Sequence, residues 1–209
     1  MTESGHTCPF TPEATVGPFY PGAFLTDTPQ DLWTVAPLVA HRPQGQPIVV
    51  VARFLDAVNR PVPSLVVEFW QANAHGRYRH PLDRSTAPLD PQFDGFARLR
   101  TGDDGTVRFN TIKPGAHAVQ RAPHLRLTIF ASGIDRLVTQ IFFDDEPLNA
   151  TDPVLISIPD SVVRTRLIAA SVGLGAEARI DAGERRRREY AIDIVLRGEG
   201  ETPFFDDWH

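Results

Sequence analysis

Proline and glycine interrupt this chain so often that a long helix has little room to form. The 209 residues include 19 prolines and 15 glycines. Proline removes a backbone donor and fixes φ, and glycine favours turns, so both break regular elements into short pieces. Between them lie short segments rich in β-branched residues or with alternating apolar and polar side chains. The sequence therefore predicts a mainly β fold of short strands and long loops.

Seven short segments have the composition or the alternation of β-strands. Residues 48–55 are almost continuously apolar, which is typical of a strand buried on both faces. Gly102-Asp-Asp-Gly105 is a strong turn signal and predicts that the strands on either side of it form a hairpin. Residues 124–131 and 137–143 are predicted to form another strand pair around Ser132-Gly133. The seven predicted strands are residues 48–55, 65–73, 96–100, 106–111, 124–131, 137–143 and 189–197.

One short helix is predicted, within residues 159–171. Val163, Leu167 and Ala170 are spaced along one face of such a helix, and Asp160 or Ser161 is suited to capping its first turn. The chain contains no internal repeat and no linker that divides it in two. We therefore expect an N-terminal arm over residues 1–47 and a single β-sandwich with long loops over residues 48–209.

Charge and cysteine content exclude several classes of function. The formal net charge is −5, which gives no electrostatic basis for binding nucleic acid or an anionic membrane. Cys8 is the single cysteine, so the chain can form no intrachain disulfide and no cysteine metal cluster. The polar N-terminus lacks the layout of a signal peptide, and no apolar run reaches the roughly 18 residues of a membrane span. We expect a cytoplasmic protein.

Side chains that bind ligands or metals are concentrated between residues 68 and 129. Glu68 shares a strand face with Trp70, and a carboxylate in this position is expected to pair with an arginine. Five motifs of the stretch, in their order and spacing, resemble those of the intradiol ring-cleaving dioxygenases. They are Glu68-Phe-Trp-Gln-Ala-Asn, Gly76-Arg-Tyr-Arg-His80, Ala87-Pro-Leu-Asp-Pro91, Thr111-Ile-Lys-Pro-Gly115 and Ala122-Pro-His124. Gly17-Pro-Phe-Tyr20 is similar to the N-terminal signature of the same family.

The resemblance implies a ferric ion held by two tyrosines and two histidines, but this chain matches only part of that set. Tyr78 matches the first tyrosine and His124 the first histidine. His117 stands at the position of the second tyrosine, and Arg126 at that of the second histidine. A guanidinium stays protonated and has no lone pair to donate to a metal. We therefore interpret these four residues as vestigial metal-site positions, and Arg121 as the partner in a salt bridge.

The resemblance is strongest to the family members built from two homologous chains, and the C-terminal residues 198–206 are similar to the end of the α chain. It implies that Fe(III) is held by a partner β chain and that this chain has no catalytic residue of its own. Thr15, Gly17, Pro18 and Phe19 would line the substrate pocket at the partner's iron. Phe19 replaces an expected tyrosine, and Ser132 replaces an arginine of some α chains. Both replacements lie at positions that would affect how the pocket recognises the carboxylate group of the substrate.

The implied reaction is the O2-dependent cleavage of 3,4-dihydroxybenzoate to 3-carboxy-cis,cis-muconate by a hetero-oligomer, in which this chain alone is inactive. Two alternatives remain open. The first is a self-sufficient intradiol catechol dioxygenase, in which Tyr78, His117 and His124 hold zinc or ferrous iron. Arg126 and the lack of a helical dimerisation region argue against it. The second is a non-enzymatic β-sandwich module that binds carbohydrate or peptide.

Overall fold

The computed structural model describes residues 43–118, 120–131, 134–174 and 187–205. Two short α-helices and a 3-10 helix (Pro147–Ala150) lie between the sixth and seventh of the eight strands found in these ranges. The strands are β1 (Pro47–Leu55), β2 (Val66–Gln71), β3 (Phe96–Arg100), β4 (Thr106–Ile112), β5 (His124–Ala131), β6 (Ile134–Phe143), β7 (Ile168–Leu174) and β8 (Arg188–Val195); the helices are α1 (Pro153–Ile156) and α2 (Ser161–Thr165). The predicted mainly β fold is confirmed.

The strands form one sheet that folds over into two layers. Their order is β3-β2-β5-β6-β7-β8-β1-β4, and the two halves meet where β6 pairs with β7, at Phe142↔Ile168 and Phe143↔Ala169. Phe69 on β2 and Phe109 on β4 are far apart in this order, yet their ring centroids lie 4.5 Å apart. The halves therefore face one another across a shared core, as in a sandwich.

Large apolar side chains from both layers fill this core. Burying one such side chain stabilises the fold by about 1.5–3 kcal/mol. Gln71 also ties the layers together, because its Nε2 donates to the carbonyl oxygen of Ile112 at 2.9 Å and its Oε1 accepts from Thr111 Oγ1 at 2.8 Å. Among the largest fully buried side chains of the core are Phe54, Phe69, Phe109, Phe143 and Tyr190.

The hairpin predicted around residues 102–105 is wrong, although the turn itself is present. The Gly102 N–H donates to the carbonyl oxygen of Thr106 at 3.0 Å, and Gly105 has a φ of 70°. However, β3 pairs with β2 and β4 pairs with β1, at opposite ends of the sheet order. The turn carries the chain from one layer to the other, so that both strands direct apolar side chains into the shared core.

The helix predicted within residues 159–171 is shorter than expected, and a second helix was missed. The Asp160 carboxylate caps α2 as predicted, with Oδ1 accepting from the N–H groups of Val162 and Val163 at 2.8 and 3.3 Å. The chain then enters β7 at Ile168, because its backbone pairs with β6 and β8 there. The prediction also omitted α1. No helix in the described ranges is long and apolar enough to cross a membrane.

Candidate metal-type cluster around Tyr78

Tyr78 lies on the loop that follows β2, and the side chain of Asn73 shapes this loop. The Asn73 Oδ1 atom accepts hydrogen bonds from the backbone N–H groups of His75 and Arg77, at 2.9 and 3.0 Å. Asn side chains close turns in this way without regular secondary structure. The backbone N–H of Tyr78 donates to Asp83 Oδ2 at 2.7 Å. The phenol is therefore presented from a well-anchored backbone.

His117 lies beside Tyr78 because two loops meet with almost no space between them. Gly76 has a φ of 76°, and a Cβ at this position would lie 1.9 Å from the carbonyl oxygen of Ala116. Glycine alone tolerates both this φ and so close an approach. His117 Nδ1 lies 2.8 Å from the carbonyl oxygen of Gly76, and its ring packs edge-on against Tyr78 with centroids 4.9 Å apart.

His124 begins β5 and presents its Nε2 atom to Tyr78. His124 Nδ1 lies 2.7 Å from the carbonyl oxygen of Ala122, so Nδ1 carries the hydrogen and Nε2 is the acceptor. The Tyr78 hydroxyl lies 3.3 Å from this Nε2 and donates to it. Burial, together with the positive charge of Arg121, lowers the pKa of His124 to about 3. The imidazole is therefore neutral near pH 7.

Arg126 follows His124 by two residues and lies on the same face of β5. Its Cζ atom is 5.9 Å from the centroid of the Tyr78 ring, within the range of a cation–π contact. Trp70, which faces Arg126 across the β2–β5 pair, also packs on Tyr78, with centroids 4.8 Å apart. Burial lowers the pKa of the Arg126 guanidinium, but an arginine side chain remains protonated in proteins.

The structure thus brings together the four predicted metal-type positions, Tyr78, His117, His124 and Arg126, here named the Tyr78 cluster. Burial raises the pKa of the Tyr78 phenol, and the positive charges of Arg126 and Arg121 only partly oppose this effect. The phenol is therefore neutral near pH 7. The cluster therefore combines the neutral His124 imidazole and a neutral phenol with one fixed cation, Arg126.

Arg121 is held in a salt bridge, as the sequence predicts. Its Nε lies 3.0 Å from Asp152 Oδ2, and its Nη2 lies 2.6 Å from Gln140 Oε1. Asp152 is fully buried, accepts from the Ala122 N–H at 2.7 Å and caps α1 through Oδ1. Asp152 was not predicted as a site residue, although an aspartate directly before Pro153 is a recognisable helix start.

Glu68 also has the predicted arginine partner. Arg98, opposite Glu68 in the β2–β3 pair, donates from Nε and Nη2 to Glu68 Oε1 at 2.9 and 2.5 Å. This pair lies on the outer face of β2, where both side chains are partly buried. Glu68 is therefore engaged in an ion pair between neighbouring strands.

The predicted pocket-lining residues Thr15, Gly17, Pro18 and Phe19 lie outside the described residues, as does Ser132. The predicted boundary between arm and sandwich at residue 47 is also untested, because the structure describes the chain only from Pro43 onward. These assignments stay predictions.

The Tyr78 cluster does not offer the ligand set that ferric iron requires. Fe(III) favours anionic oxygen donors, whereas this cluster has one phenol and two imidazoles. Arg126 supplies no lone pair, and its positive charge repels a metal cation. Within the described part of the chain, no three His, Cys, Asp or Glu side chains come together as a metal-binding group.

Comparison with known proteins identifies the family. A family model described as Dioxygenase matches residues 17–198. This chain belongs to the intradiol ring-cleaving dioxygenases. These enzymes are oxidoreductases that use ferric iron, so the predicted family and enzyme class are confirmed, and the alternative of a non-enzymatic binding module is not supported.

Relatives in this family include both chains of a two-chain enzyme. The chain is 41% identical to the protocatechuate 3,4-dioxygenase beta chain of Burkholderia cepacia over 169 residues, covering 77% of this chain and 68% of that one. It is 34% identical to the protocatechuate 3,4-dioxygenase alpha chain of the same organism over 205 residues, covering 94% of this chain and 96% of that one. The relatives therefore point to a hetero-oligomeric branch of the family.

Solved structures agree on the fold. The dioxygenase domain of a dioxygenase carbohydrate-binding protein fusion from Streptomyces sp. SirexAA-E is 25% identical, with a TM-score of 0.57, and covers 90% of this chain and 98% of that one. The 3-chlorocatechol 1,2-dioxygenase of Rhodococcus opacus 1CP has a TM-score of 0.59 at 18% identity, covering 88% of this chain and 72% of that one. The mainly β architecture is therefore that of intradiol dioxygenases.

Proposed function

We propose that this chain is the α-type subunit of a protocatechuate 3,4-dioxygenase, the subunit that does not bind iron. The holoenzyme cleaves the ring bond between the two hydroxyl-bearing carbons of 3,4-dihydroxybenzoate. Both atoms of O2 enter the product, 3-carboxy-cis,cis-muconate, so the reaction needs no external reductant. Ferric iron is held by a homologous β chain, and this chain contributes scaffold and part of the pocket wall.

The observation that carries the proposal is the position of Arg126 in the Tyr78 cluster. A guanidinium stands two residues after His124 on the same strand face, against the ring of Tyr78. A cation in this place opposes metal binding by charge and also removes a donor. With His117 in place of the second phenolate, half of the ligand set that the family resemblance implies is absent from this chain.

The two relatives support different details of the proposal. The higher identity, 41%, is to the β chain, but that match covers only 68% of the β chain. The α chain matches at lower identity over nearly the full length of both chains. Overall length favours the α chain and the higher identity favours the β chain, so the α assignment depends on the two replaced ligand positions, His117 and Arg126.

The N-terminal segment supplies the pocket wall in this proposal. Pro18 and Phe19 offer a rigid apolar surface, and Gly17 permits a close approach of the backbone to a ligand. The hydroxyl group of Thr15 is suited to donating a hydrogen bond to the carboxylate of the substrate. These residues would act on the substrate bound at the iron of the partner chain.

Iron content and colour of the chain test the proposal, first purified alone and then after co-expression with a β chain. Ferric tyrosinate absorbs strongly in the visible range, so iron binding is seen directly. We expect the lone chain to be colourless, iron-free and inactive, and the complex to be coloured and to consume O2 with 3,4-dihydroxybenzoate. The β chain expressed alone is the control for activity that does not need this chain. A coloured, active lone chain would overturn the proposal.

A self-sufficient dioxygenase with an altered metal site is the second candidate. The 41% identity to an iron-using enzyme's β chain and the 3.3 Å approach of Tyr78 to His124 favour it. The same experiment separates the two candidates, because only the self-sufficient enzyme turns over a catechol without a partner chain.

A further inference from the structure

We propose that the outer face of the layer β7-β8-β1-β4 is an interaction surface for a second copy of this chain, related to the first by a two-fold axis parallel to β1 and β8. The proposal goes beyond the subunit role and does not involve iron. It concerns the side of the sandwich away from the Tyr78 cluster, because His124 and Arg126 lie on the outer face of the other layer.

The centre of this outer face is apolar and open to solvent. Val51 on β1 and Ala191 on β8 alternate with side chains that point into the core, so both point outward. On β7, Ala170 is exposed and the Val172 side chain is 57% exposed. A contiguous apolar patch on a sheet face is typical of a protein interaction site.

A β-bulge in β7 adds to the patch. The register of the β7–β8 pair shifts between Ser171 and Gly173, which leaves Val172 as the extra residue. Val172 lines a groove together with Ala170 on the same strand and Ala191 on β8. A bulge re-aims a side chain, and this one directs an apolar side chain towards solvent.

Charge complementarity identifies the occupant of the face as a second copy. β1 and β8 run parallel and in register, with Arg53 opposite Asp193 and Val51 opposite Ala191. Arg53 donates from Nε and Nη2 to the Asp193 carboxylate at 2.9 and 2.6 Å, yet about half of each side chain remains exposed. The face therefore presents one positive and one negative group side by side, at the same height along the strands.

A two-fold axis midway between β1 and β8 makes this arrangement self-complementary. Rotation about the axis exchanges the two strands without changing the height of any residue, so Arg53 of each copy lies over Asp193 of the other and Val51 lies over Ala191. The axis also passes through the middle of the four strands, so β4 of one copy covers β7 of the other. The short side chains at the centre allow the two sheets to pack at about 10 Å.

The second ion pair on this face is complete within one chain. Arg108 Nη2 on β4 lies 2.7 Å from Glu189 Oε2 on β8, so the arginine side chain crosses over β1. Both charges are paired before a second copy binds, and the aliphatic stem of Arg108 adds apolar contact surface. Covering this pair with a second copy therefore leaves no lone charge.

Sedimentation velocity of the full-length chain, without a β chain, tests the interaction. The wild-type chain is expected to form dimers with a Kd of about 10 µM or tighter. Val172→Arg places a charge in the apolar contact and should weaken the dimer roughly tenfold or more. Val58→Arg changes another exposed valine, in a turn away from this face, and is the matched control with an unchanged Kd.

A charge swap tests the axis itself. Arg53→Asp combined with Asp193→Arg keeps the ion pair within the chain and, by the same symmetry, the pairing between two copies. The swapped chain should therefore dimerise with itself but not with the wild-type chain, because like charges would then face one another at both positions. Native mass spectrometry of wild-type chain mixed with isotope-labelled swapped chain measures the fraction of mixed dimers.

The proposal is overturned by a wild-type chain that stays monomeric, by a dimer that Val172→Arg leaves intact, or by free mixing of the wild-type and swapped chains. A monomeric chain whose Tm falls with Val172→Arg would mean that the chain's own residues outside the described ranges cover the face. Loss of β-chain binding by Val172→Arg, with a monomeric wild-type chain, would make the β chain the occupant. Both results contradict the proposal, and the proposed function is tested separately by iron and activity.

Discussion

The hydroxyl oxygen of Tyr78 lies 3.3 Å from Nε2 of His124, and this contact joins the loop after β2 to the start of β5. It exists because Gly76 allows the loop to pack on Ala116 and because the Ala122 carbonyl fixes the imidazole tautomer. A neutral phenol and a neutral imidazole are both buried here. Their protonation states therefore contribute to the stability of the fold.

The free energy of unfolding should fall as the pH is lowered from 7 to 5, because His124 is buried as a neutral imidazole. Burial lowers its folded-state pKa to about 3, whereas an unfolded histidine titrates near its ordinary value of 6.5. Between these values the unfolded chain binds a proton that the folded chain does not, so stability rises with pH in this window. Between pH 6.5 and 5 the loss is up to about 2 kcal/mol.

Urea denaturation at pH 7 and pH 5 measures this loss. His124→Gln should be less stable at pH 7 but should lose less stability on going to pH 5. His80→Gln removes an exposed histidine and is the matched control, with the wild-type pH dependence retained. An unchanged pH dependence in His124→Gln would contradict the assignment.

Gly76→Ala should separate the two loops that form the Tyr78 cluster. The new Cβ would lie 1.9 Å from the Ala116 carbonyl oxygen, in addition to the strain of a φ of 76°. Gly173→Ala is the matched control, since Gly173 has a φ of 101° but a Cβ there meets nothing within 4 Å. We expect the control to cost about 1–2 kcal/mol and Gly76→Ala about 3 kcal/mol or more.

The free energy of unfolding of both variants, measured with urea, checks this prediction. Equal losses would mean that φ strain alone matters and that the contact between the loops relaxes at little cost. A near-ultraviolet spectrum of Gly76→Ala would show in addition whether the environment of Tyr78 has changed.

Local patterns predicted much of the fold and the pairing of residues 124–131 with 137–143, which β5 and β6 confirm, but not how the other strands pair. The strands predicted before residue 144, together with the last one, correspond to β1–β6 and β8, with small shifts at their ends. Gly102-Asp-Asp-Gly105 correctly indicated a turn, yet pairing depends on which layer each strand completes. Residues 168–171 match a helix and a strand about equally well, and only contact with β6 and β8 settles the choice.

The candidate site, too, could be predicted from the sequence only in part. Pairing of Glu68 with an arginine followed from the cost of burying a lone charge, whereas the salt bridge of Arg121 was expected from the family resemblance. The positions of Tyr78, His117 and His124 came from a family resemblance. Their mutual geometry depends on two irregular loops and could not be predicted, because loops carry no periodic signal.

Asp152→Asn should be far more harmful than the same change at the other helix cap, Asp160. Both carboxylates cap short helices, but Asp152 is fully buried and also pairs with Arg121 at 3.0 Å. Asparagine retains most of the capping ability and loses the charge. We expect a cost of about 3 kcal/mol at Asp152, where a partly buried guanidinium loses its charged partner, and within about 0.5 kcal/mol at Asp160.

Thermal or urea unfolding of the two variants measures this difference. A small effect at Asp152 would mean that Gln140, which accepts from Arg121 at 2.6 Å, is a sufficient partner. In that case the salt bridge would not be required to hold Arg121 beside the Tyr78 cluster.

Phe19→Ala tests the proposed pocket wall in the complex with a β chain. Loss of an apolar wall should weaken substrate binding, raising KM for 3,4-dihydroxybenzoate roughly 10-fold, as expected for about 1.4 kcal/mol of lost contact, with little change in kcat. Phe10→Ala removes a phenylalanine of the same segment outside the family motif and is the matched control. Steady-state O2 uptake gives both constants, and gel filtration verifies that each variant still assembles. If the Phe19→Ala complex is intact and has the same KM as the wild-type complex, residue 19 lies away from the substrate. A phenylalanine in contact with the ring cannot be removed without loss of affinity.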